Sequence, residues 1–496
     1  MSPPIHPQNS LLRLGEFKKL SKDTLIYGLG NAANRMVSFF LIPIYTAYLA
    51  TWEYGIRSLT TSLEQFLFPF ATLGFVQALI ADYYATEAIE ERRRVVSTAF
   101  LSVTIMGFII GLSMFLFSGG LSKLLFQREF KDIMVLFSIY FAFNLPSLIF
   151  YSFLRARVQP RLYAFFTFSK SIIRILLISL FLILLKKGLK GAYISDALVM
   201  MIYFPFILFL ILKYTKGLKF SKKWWISMLK YGLPLVPATI FHWLRTFSDR
   251  FLISYLIGLG SVGIFSVAVQ FSSVVSFILI APLSMAWLPY AFSIKDREDK
   301  GRYYSRALTY YLFVGMILWL VVSGISREFI PLIAKNPSYW QASQYIPILT
   351  FGILLYGAGY ILATPINVFR KTIYISLGTL FSGIANISCN FLLLPKIGIM
   401  GATLASLICY LTVCLFFYFI AQRIYPIRYE RRRIAMVAII GILLYLILSS
   451  ILLKTIWLSL LLKIVLSISL FPLILYLLGF FTKDEKRIIL HYIKRW

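Results

Sequence analysis

Long apolar runs recur along the chain and are separated by short polar segments. Their continuous apolar character over about twenty residues predicts membrane-spanning helices, since transmembrane strands alternate apolar and polar positions over about ten residues. A backbone surrounded by lipid must also satisfy its own hydrogen bonds, which favours helices. Fourteen such runs can be marked, at residues 24–50, 58–81, 96–118, 133–153, 162–185, 191–212, 231–257, 262–289, 303–325, 344–364, 372–394, 399–421, 434–453 and 457–481.

Two short motifs occur twice at nearly the same separation. The pattern K-x-G-x-x-G-A is found at residues 186–192 and again at 396–402, 210 residues later. The pattern G-I-x-S is found at residues 55–58 and again at 263–266, 208 residues later. Internal repeats at one offset, in corresponding turns between apolar runs, predict two duplicated lobes of six helices each.

The fold class predicted from these patterns is an all-α polytopic membrane protein with about 14 transmembrane helices. Two six-helix lobes are followed by two extra C-terminal helices that lie outside the repeat. The predicted domains are a cytoplasmic tail at 1–23, an N-lobe at 24–212, a basic cytoplasmic linker at 213–230, a C-lobe at 231–421, the two added helices at 434–481, and a second cytoplasmic tail at 482–496.

The composition agrees with a membrane protein and explains the high net charge. Of the 496 residues, 59% are hydrophobic, which excludes an ordinary soluble domain. A net charge of +31 would suggest nucleic acid in a soluble protein. Here the lysines and arginines are concentrated in alternate loops, so the positive-inside rule predicts a multi-pass protein of the cytoplasmic (inner) membrane with both termini in the cytoplasm. No nucleic-acid partner is expected.

Cations within the apolar runs are the first candidates for function. Arg35, Arg174 and Arg245 lie about 16, 18 and 21 Å from the start of their runs, deep in a hydrocarbon core of roughly 30 Å. Lys170 and Arg250 lie nearer to run ends, where long side chains can reach the headgroups. A central arginine costs about 2.5–3.5 kcal/mol, so it should face protein, water or an anion. Arginine suits phosphate, because its planar fork offers paired donors.

Acidic residues within or near the apolar runs offer an alternative explanation for these cations. Glu64, Asp196 and Asp249 are candidates for coupling transport to a proton or sodium gradient. A salt bridge with an embedded cation, or a place at a helix end, is favoured over coupling for each of them and for Asp82. Arg245 and Asp249 are four residues apart and are expected to pair on one helix face.

The sequence matches that could suggest an enzyme or a nucleotide-binding site lack the structural context that such sites require. Residues 258–263 read G-x-G-x-x-G, but they lie between two apolar runs without the strand–turn–helix unit that a dinucleotide site requires. The three cysteines are in apolar runs, without metal-ligand spacing. We therefore predict no catalytic residue, no metal and no cofactor.

Three blocks of sequence resemble a known family. They are KDTLIYGLGNAANRMVSFFLIPIYTAYLATWEYGIRSL at 22–59, KYGLPLVPATIFHWLRTFSDRFLISYLIGLGSVGIFSVA at 230–268, and NFLLLPKIGIMGATLASLICY at 390–410. With the number of spans, they make most of residues 22–421 similar to the polysaccharide-transporter (O-antigen flippase-like) branch of the multidrug/oligosaccharidyl-lipid/polysaccharide exporter superfamily.

The resemblance implies a V-shaped fold of two lobes that works by alternating access. It implies transfer of a polyprenyl-pyrophosphate-linked oligosaccharide, the repeat unit of a cell-envelope polysaccharide, from the inner to the outer leaflet. Arg35 and Arg245 match the basic cavity residues that hold pyrophosphate in such flippases, and Arg174 matches them less closely. Membrane lipids and a polymerase or ligase of the glycan pathway are the implied partners. The added helices resemble the appendage that offers a groove for the lipid tail.

Three alternative functions are distinguishable. A lipid II flippase would have the same fold and would complement a strain that lacks that flippase. A multidrug or cation antiporter needs an anionic cavity, which the excess of embedded cations disfavours. A membrane glycosyltransferase or ligase usually needs sizeable outer loops with carboxylates, and the predicted outer loops are short.

Overall fold

The computed structural model describes residues 39–451, 453, 455–482 and 485–487. Every regular element in these residues is helical. Eleven of the helices are long and apolar enough to cross a membrane, or twelve when one bent pair is counted as a single span. The chain is therefore an all-α, multi-pass membrane protein. Fourteen spans are not confirmed, because most of the first predicted run, 24–50, lies outside the described residues and the seventh, 231–257, is divided into short helices.

The first of two compact units comprises residues 1–49 and 59–240. Its helices begin with the short apolar helix α1 and end with a basic, Trp-containing helix, α9. Their bounds are α1 Phe39–Tyr48, α2 Thr51–Thr72, α3 Phe75–Tyr84, α4 Ile89–Leu116, α5 Ser118–Phe126, α6 Lys131–Ala156, α7 Pro160–Ser179 continued by a π-turn Leu180–Leu184, α8 Gly188–Thr215 and α9 Lys222–Gly232. The first two turns of α2 are the exception, because they belong to the second unit.

Small residues allow close packing in the first unit. A Cβ at Gly111 of α4 would lie 2.8 Å from the Cβ of Ala142 in α6. Close backbone approach of this kind drives helix association in membranes, where burial of apolar surface supplies little. Helices α2 and α3 are bent by 40° at Leu73 and Gly74, which both have positive φ angles. The single span predicted at 58–81 is therefore a bent pair that begins earlier, at Thr51.

The second unit comprises residues 50–58 and 241–496. Its helices surround a core to which α14, α16, α19, α20 and α21 all contribute buried apolar side chains. The bounds are α10 Val236–Thr246, α11 Ser248–Leu256, α12 Leu259–Val275 continued by a π-turn Ser276–Ile280, α13 Ala281–Ser293, α14 Lys300–Gly324, α15 Ser326–Ile333, α16 Ala342–Leu362, α17 Thr364–Val368, α18 Ile373–Ile397, α19 Ile399–Ile424, α20 Arg431–Ser450 and α21 Ile456–Leu477. Helix α10 begins in the first unit and passes into the second after Ile240.

The seventh apolar run, predicted as one span at 231–257, is broken into several pieces. A short 3-10 turn at Leu233–Leu235 separates α9 from α10, and Phe247 separates α10 from α11. Proline explains the first break, because Pro234 and Pro237 cannot donate a backbone hydrogen bond. The second break leaves the Thr246 carbonyl free, and the Arg250 guanidinium donates to it at 2.5 Å.

The order of helices repeats along the chain, as the sequence motifs indicate. The short helices α5 and α15 begin at Ser118 and Ser326, 208 residues apart. The last helix of each repeat starts at a glycine with positive φ: Gly188 is the first residue of α8, and Gly398 directly precedes α19. At Gly401 a Cβ would lie 2.5 Å from the carbonyl carbon of Leu393, so this motif serves a tight turn between antiparallel helices.

Candidate functional site

Inside the first unit, a buried carboxylate of α2 is bound by side chains of α6. Glu64 of α2 is 8% exposed. Its Oε1 accepts hydrogen bonds from the Tyr140 hydroxyl at 2.9 Å and from Asn144 Nδ2 at 2.8 Å, both on α6. Asn144 is itself placed by the Ser147 hydroxyl, which donates to its Oδ1 at 3.2 Å. The carboxylate is thus held by neutral donors.

Two predicted cations on α7 lie within electrostatic range of this carboxylate. The charges of Lys170 and Arg174 attract the Glu64 carboxylate, and the charge of Asp196 on α8 repels it. The Arg174 Nε donates to Asp196 Oδ1 at 2.8 Å. The Lys170 ammonium lies 5.9 Å from the centre of the Tyr151 ring. Two cations and two carboxylates therefore occupy one region, and their formal charges balance.

The second unit contains a different arrangement, around the break between α10 and α11. Arg245 is 6% exposed, and its Nη2 lies 2.9 Å from the His242 Nδ1. Its guanidinium carbon lies 4.4 Å from the centre of the Tyr356 ring. The buried Arg245 Nε has no hydrogen-bond partner among the described residues. A buried guanidinium with an unused donor is costly, and an anion would satisfy it.

Asp249 does not neutralise Arg245, contrary to the pairing expected from their spacing. Its Oδ1 accepts from Asn390 Nδ2 at 2.9 Å, and its Oδ2 accepts from the Ser406 hydroxyl at 3.1 Å. Its charge interacts instead with the guanidinium of the adjacent residue, Arg250. The physical reason is the break at Phe247, which removes the continuous helical face that an i,i+4 pair requires.

Polar side chains surround Asp249 in this buried region, and Asn390 and Ser406 bind it through an N–H and an O–H donor. Asn386 and Asn390 are both fully buried on α18, and the Asn390 Oδ1 has no hydrogen-bond partner in the described part of the chain. The Asn386 Oδ1 accepts from the Ser248 hydroxyl at 3.3 Å. Carboxylate, amide and hydroxyl oxygens are ligands that hard cations prefer. Their chemistry suits a small cation such as sodium.

The structure thus divides the predicted residues between two sites. Glu64, Lys170, Arg174 and Asp196 come together in the first unit. In the second, Arg245, Asp249 and Arg250 flank one helix break. Arg250 is 8% exposed rather than reaching the surface, because it binds the Thr246 carbonyl. Arg35 lies outside the described residues, so its position stays a prediction.

Several polar residues at these sites escaped the sequence analysis. Asn386 and Asn390 have the i,i+4 spacing of one helix face within an apolar run, a signal that was available. Arg57 is buried within α2, because that helix begins seven residues before the predicted run. Lys463 is fully buried near the middle of α21 and binds Glu328 Oε1 at 2.5 Å. Neither of these two was singled out: Arg57 lies one residue before the predicted run 58–81, and Lys463 was overlooked inside the predicted run 457–481.

Among the described residues, no group of three or more His, Cys, Asp or Glu side chains could hold a metal ion. Cys389, Cys409 and Cys414 are free thiols.

The sequence matches a known protein family. The family model described as polysaccharide biosynthesis protein matches residues 20–295, more than half of the sequence. The chain belongs to this polysaccharide biosynthesis protein family. The match covers both of the clusters just described except for the part contributed by α16, α18 and α19.

A relative of this family member is known from an archaeon. An uncharacterized membrane protein of Methanocaldococcus jannaschii is 22% identical over 442 residues, which is 82% of this chain and 84% of the relative. The similarity extends over most of both chains.

Solved structures show the same fold. The lipid II flippase MurJ, in an inward closed conformation, superimposes with a TM-score of 0.72 at 16% identity, covering 91% of this chain and 99% of that one. An inward-facing multidrug resistance MATE family transporter of the MOP superfamily gives a TM-score of 0.66 at 14% identity, covering 82% and 95%. This polysaccharide biosynthesis family member therefore has a MurJ- and MATE-like fold.

Proposed function

We propose that this protein is a flippase that moves a polyprenyl-pyrophosphate-linked oligosaccharide from the inner to the outer leaflet by alternating access. The family and the fold support transport of a polysaccharide precursor. The substrate chemistry rests on one observation, the buried Arg245 with an unused donor. A diphosphate supplies the charge and the acceptor oxygens that this guanidinium lacks within the described chain.

Lys170 and Arg174 are proposed as secondary contacts for the same headgroup. Arg174 is 31% exposed at its side chain, although it is bound to Asp196, so it is accessible from solvent. Its pairing makes it a weaker anion ligand than Arg245, because an anion must compete with a carboxylate. Arg35 is proposed as a further pyrophosphate ligand on the basis of the sequence alone.

A cation gradient is proposed to drive the cycle through Asp249. The buried oxygens of Asp249, Asn386, Asn390 and Ser406 offer a site for sodium. Glu64 and Asp196 are the alternative coupling residues, for protons. The group around Asp249 is the stronger candidate for coupling, because Asp196 already forms an ion pair with Arg174.

The membrane placement and partners follow from this function. We propose that the protein lies in the cytoplasmic membrane with both termini inside, and that a polymerase or ligase receives the flipped glycan. No enzymatic step is proposed for this chain.

A lipid II flippase is the second candidate function. The observation that favours it is the superposition on MurJ over 99% of that chain. Both substrates carry a polyprenyl diphosphate, so Arg245 serves either. An antiporter for cationic drugs is disfavoured, because Arg245 would repel such a substrate.

Transport by the purified protein tests the proposal. The full chain is reconstituted into liposomes with a fluorescent polyprenyl-pyrophosphate oligosaccharide, and flipping is followed by chemical quenching of the outer leaflet. Loss of one charge-assisted hydrogen bond costs about 1.5–3 kcal/mol, so Arg245→Gln should weaken apparent substrate affinity roughly tenfold to hundredfold. Arg245→Lys keeps the positive charge but not the paired N–H donors, so its apparent substrate affinity should lie between those of the wild type and Arg245→Gln.

The matched control is Arg297→Gln. This arginine is exposed in the α13–α14 connection and bound to Asp299, away from Arg245. It should flip substrate like the wild type. Equal flipping by Arg245→Gln, with thermal stability unchanged, would contradict the role of Arg245. Flipping of fluorescent lipid II at a rate at least as high would instead favour the second candidate.

A further inference from the structure

An open cavity of about 390 Å³ lies in the second unit, apart from the proposed transport site. It is formed by the first turns of α14 and by the connection between α19 and α20. The lining includes Arg302 and Ser305 from the helix and Arg428 and Glu430 from the connection. This volume falls within the range of small-molecule binding sites, about 300–1,000 Å³.

The two arginines in this cavity are not committed to other groups. Neither the Arg302 nor the Arg428 guanidinium has a hydrogen bond or an ion pair with another residue in the described chain. The cavity therefore presents positive charge and unused donors.

The carboxylate at the cavity does not offset this charge. Both oxygens of Glu430 accept from Arg433 Nη1 at 3.0 Å, so this carboxylate is already bound by an arginine outside the cavity lining. The Glu430 backbone N–H is also used, because it donates to the Ser305 hydroxyl oxygen at 3.2 Å. What remains facing the cavity is the pair of guanidinium forks, whose donor geometry matches a phosphate.

The connection that carries Arg428 is fixed in place rather than loosely placed. The Gln422 side chain accepts from the Ile427 N–H at 3.0 Å and donates to the Ile427 carbonyl at 2.8 Å. Ile427 is 5% exposed. The cavity wall is thus preorganised, which lowers the entropic cost of binding.

The depth of the cavity in the membrane indicates which phosphate it meets. It lies where three membrane-spanning helices end or begin: α14 at Lys300, α19 at Ile424 and α20 at Arg431. Helix ends mark the headgroup region of a bilayer. Exposed basic residues at this level, including Arg423, Arg431 and Arg432, also attract anionic lipid.

We propose that this cavity binds the headgroup phosphate of an anionic phospholipid. Arg302 and Arg428 hold the phosphodiester from two sides, and the acyl chains remain in the bilayer beside the helix ends. This inference does not depend on the proposed transport function.

Native mass spectrometry of the full-length protein, with phosphatidylglycerol as the probe, tests the proposal. The double variant Arg302→Ala/Arg428→Ala should bind the first phosphatidylglycerol at least about tenfold more weakly, because each fork contributes charge-assisted bonds. Phosphatidylcholine is the neutral probe and should bind weakly to both proteins. Arg297→Ala, which removes an exposed arginine already bound to Asp299, should leave the affinity unchanged.

Three results would overturn the inference. One is undiminished phosphatidylglycerol binding by the double variant, and another is equally tight binding of phosphatidylcholine to the wild type. Displacement of phosphatidylglycerol by millimolar inorganic phosphate would show a site for free phosphate instead of a lipid. Because both arginines are exposed, the double variant should keep the thermal midpoint of the wild type, which verifies its folding.

Discussion

Gly55 and Gly263 pack against each other where α2 crosses α12. A Cβ at Gly55 would overlap the Leu259 carbonyl oxygen, and one at Gly263 would overlap the Thr51 carbonyl oxygen. Each would also lie within 3.3 Å of the other glycine's backbone nitrogen. The contact is reciprocal, since Thr51 and Gly55 correspond to Leu259 and Gly263 in the repeat.

The same crossing continues with a serine pair. The Ser266 hydroxyl donates to the Ser58 Oγ at 2.6 Å. The two copies of the G-I-x-S motif therefore contact each other directly. Close backbone contact and a hydroxyl hydrogen bond are the two devices by which membrane helices associate.

Replacing Gly263 with alanine should destabilise the protein. The new Cβ would collide with backbone atoms of α2, which cannot move aside as a side chain would. Overpacking of this kind costs about 1–3 kcal/mol or more. The expected result is a thermal midpoint several degrees lower, measured on the protein in detergent. Gly120→Ala is the control, because a Cβ there meets nothing within 4 Å. Equal midpoints for the two variants would show that α2 and α12 do not pack this closely.

The sequence anticipated this contact only in part. The repeat of G-I-x-S predicted a duplication, and the helices repeat in the same order. Nothing in the motif indicated that its two copies touch each other, because contact between distant segments depends on the tertiary arrangement. The helical class followed directly from long apolar runs, since lipid leaves few alternatives for the backbone.

The candidate site was harder to predict than the fold. Spacing placed Arg245 and Asp249 on one helix face, but a helix break at Phe247 separates them. Arg174 pairs with Asp196, but the sequence contains several candidate carboxylates and does not indicate which one is the partner. Side-chain partners from other helices, such as Asn390 for Asp249, depend on helix rotation and depth, which an apolar run does not specify.

Lys463 and Glu328 should show a strong energetic coupling. Lys463 is fully buried, and the Glu328 carboxylate also accepts from the Ser459 hydroxyl at 2.9 Å. Removing one partner of a buried ion pair costs about 3–5 kcal/mol, because the other charge is left uncompensated. Lys463→Met and Glu328→Gln should each lower the unfolding midpoint strongly, and the double variant should recover most of the loss.

The control for this cycle is an exposed ion pair. Lys123 and Glu129 lie 3.3 Å apart with more than half of each side chain exposed, so their coupling should stay below about 1 kcal/mol. Additive effects of Lys463→Met and Glu328→Gln in a double-mutant cycle would refute the coupling, and α21 would then be held by apolar packing alone.

Sodium should stabilise the protein through Asp249. A cation bound among the oxygens of Asp249, Asn386 and Asn390 favours the folded state by mass action, so the thermal midpoint should rise with sodium concentration at constant ionic strength. Asp249→Asn should abolish this rise, because it removes the only carboxylate of the group. Asp296→Asn, in the exposed α13–α14 connection, should keep it. A sodium response that survives in Asp249→Asn would place the ion elsewhere.

Glu485 should make stability depend on pH at the acidic end. Burial alone would raise the pKa of Glu485, but hydrogen bonds from the Tyr310 hydroxyl and the Thr482 N–H, with the charge of Arg433 at 2.9 Å, outweigh it and lower the pKa. Since the folded pKa lies below the ordinary value of 4.5, the stabilisation is complete above that pH and is lost as the pH falls further. The thermal midpoint of the wild type should exceed that of Glu485→Gln by a few degrees at neutral pH, and the difference should shrink below about pH 4.5.

The control is Asp296→Asn, which changes an exposed carboxylate and should differ little from the wild type at any pH. A difference for Glu485→Gln that persists undiminished to about pH 3 would mean that the carboxylate charge is not what holds this segment against Arg433.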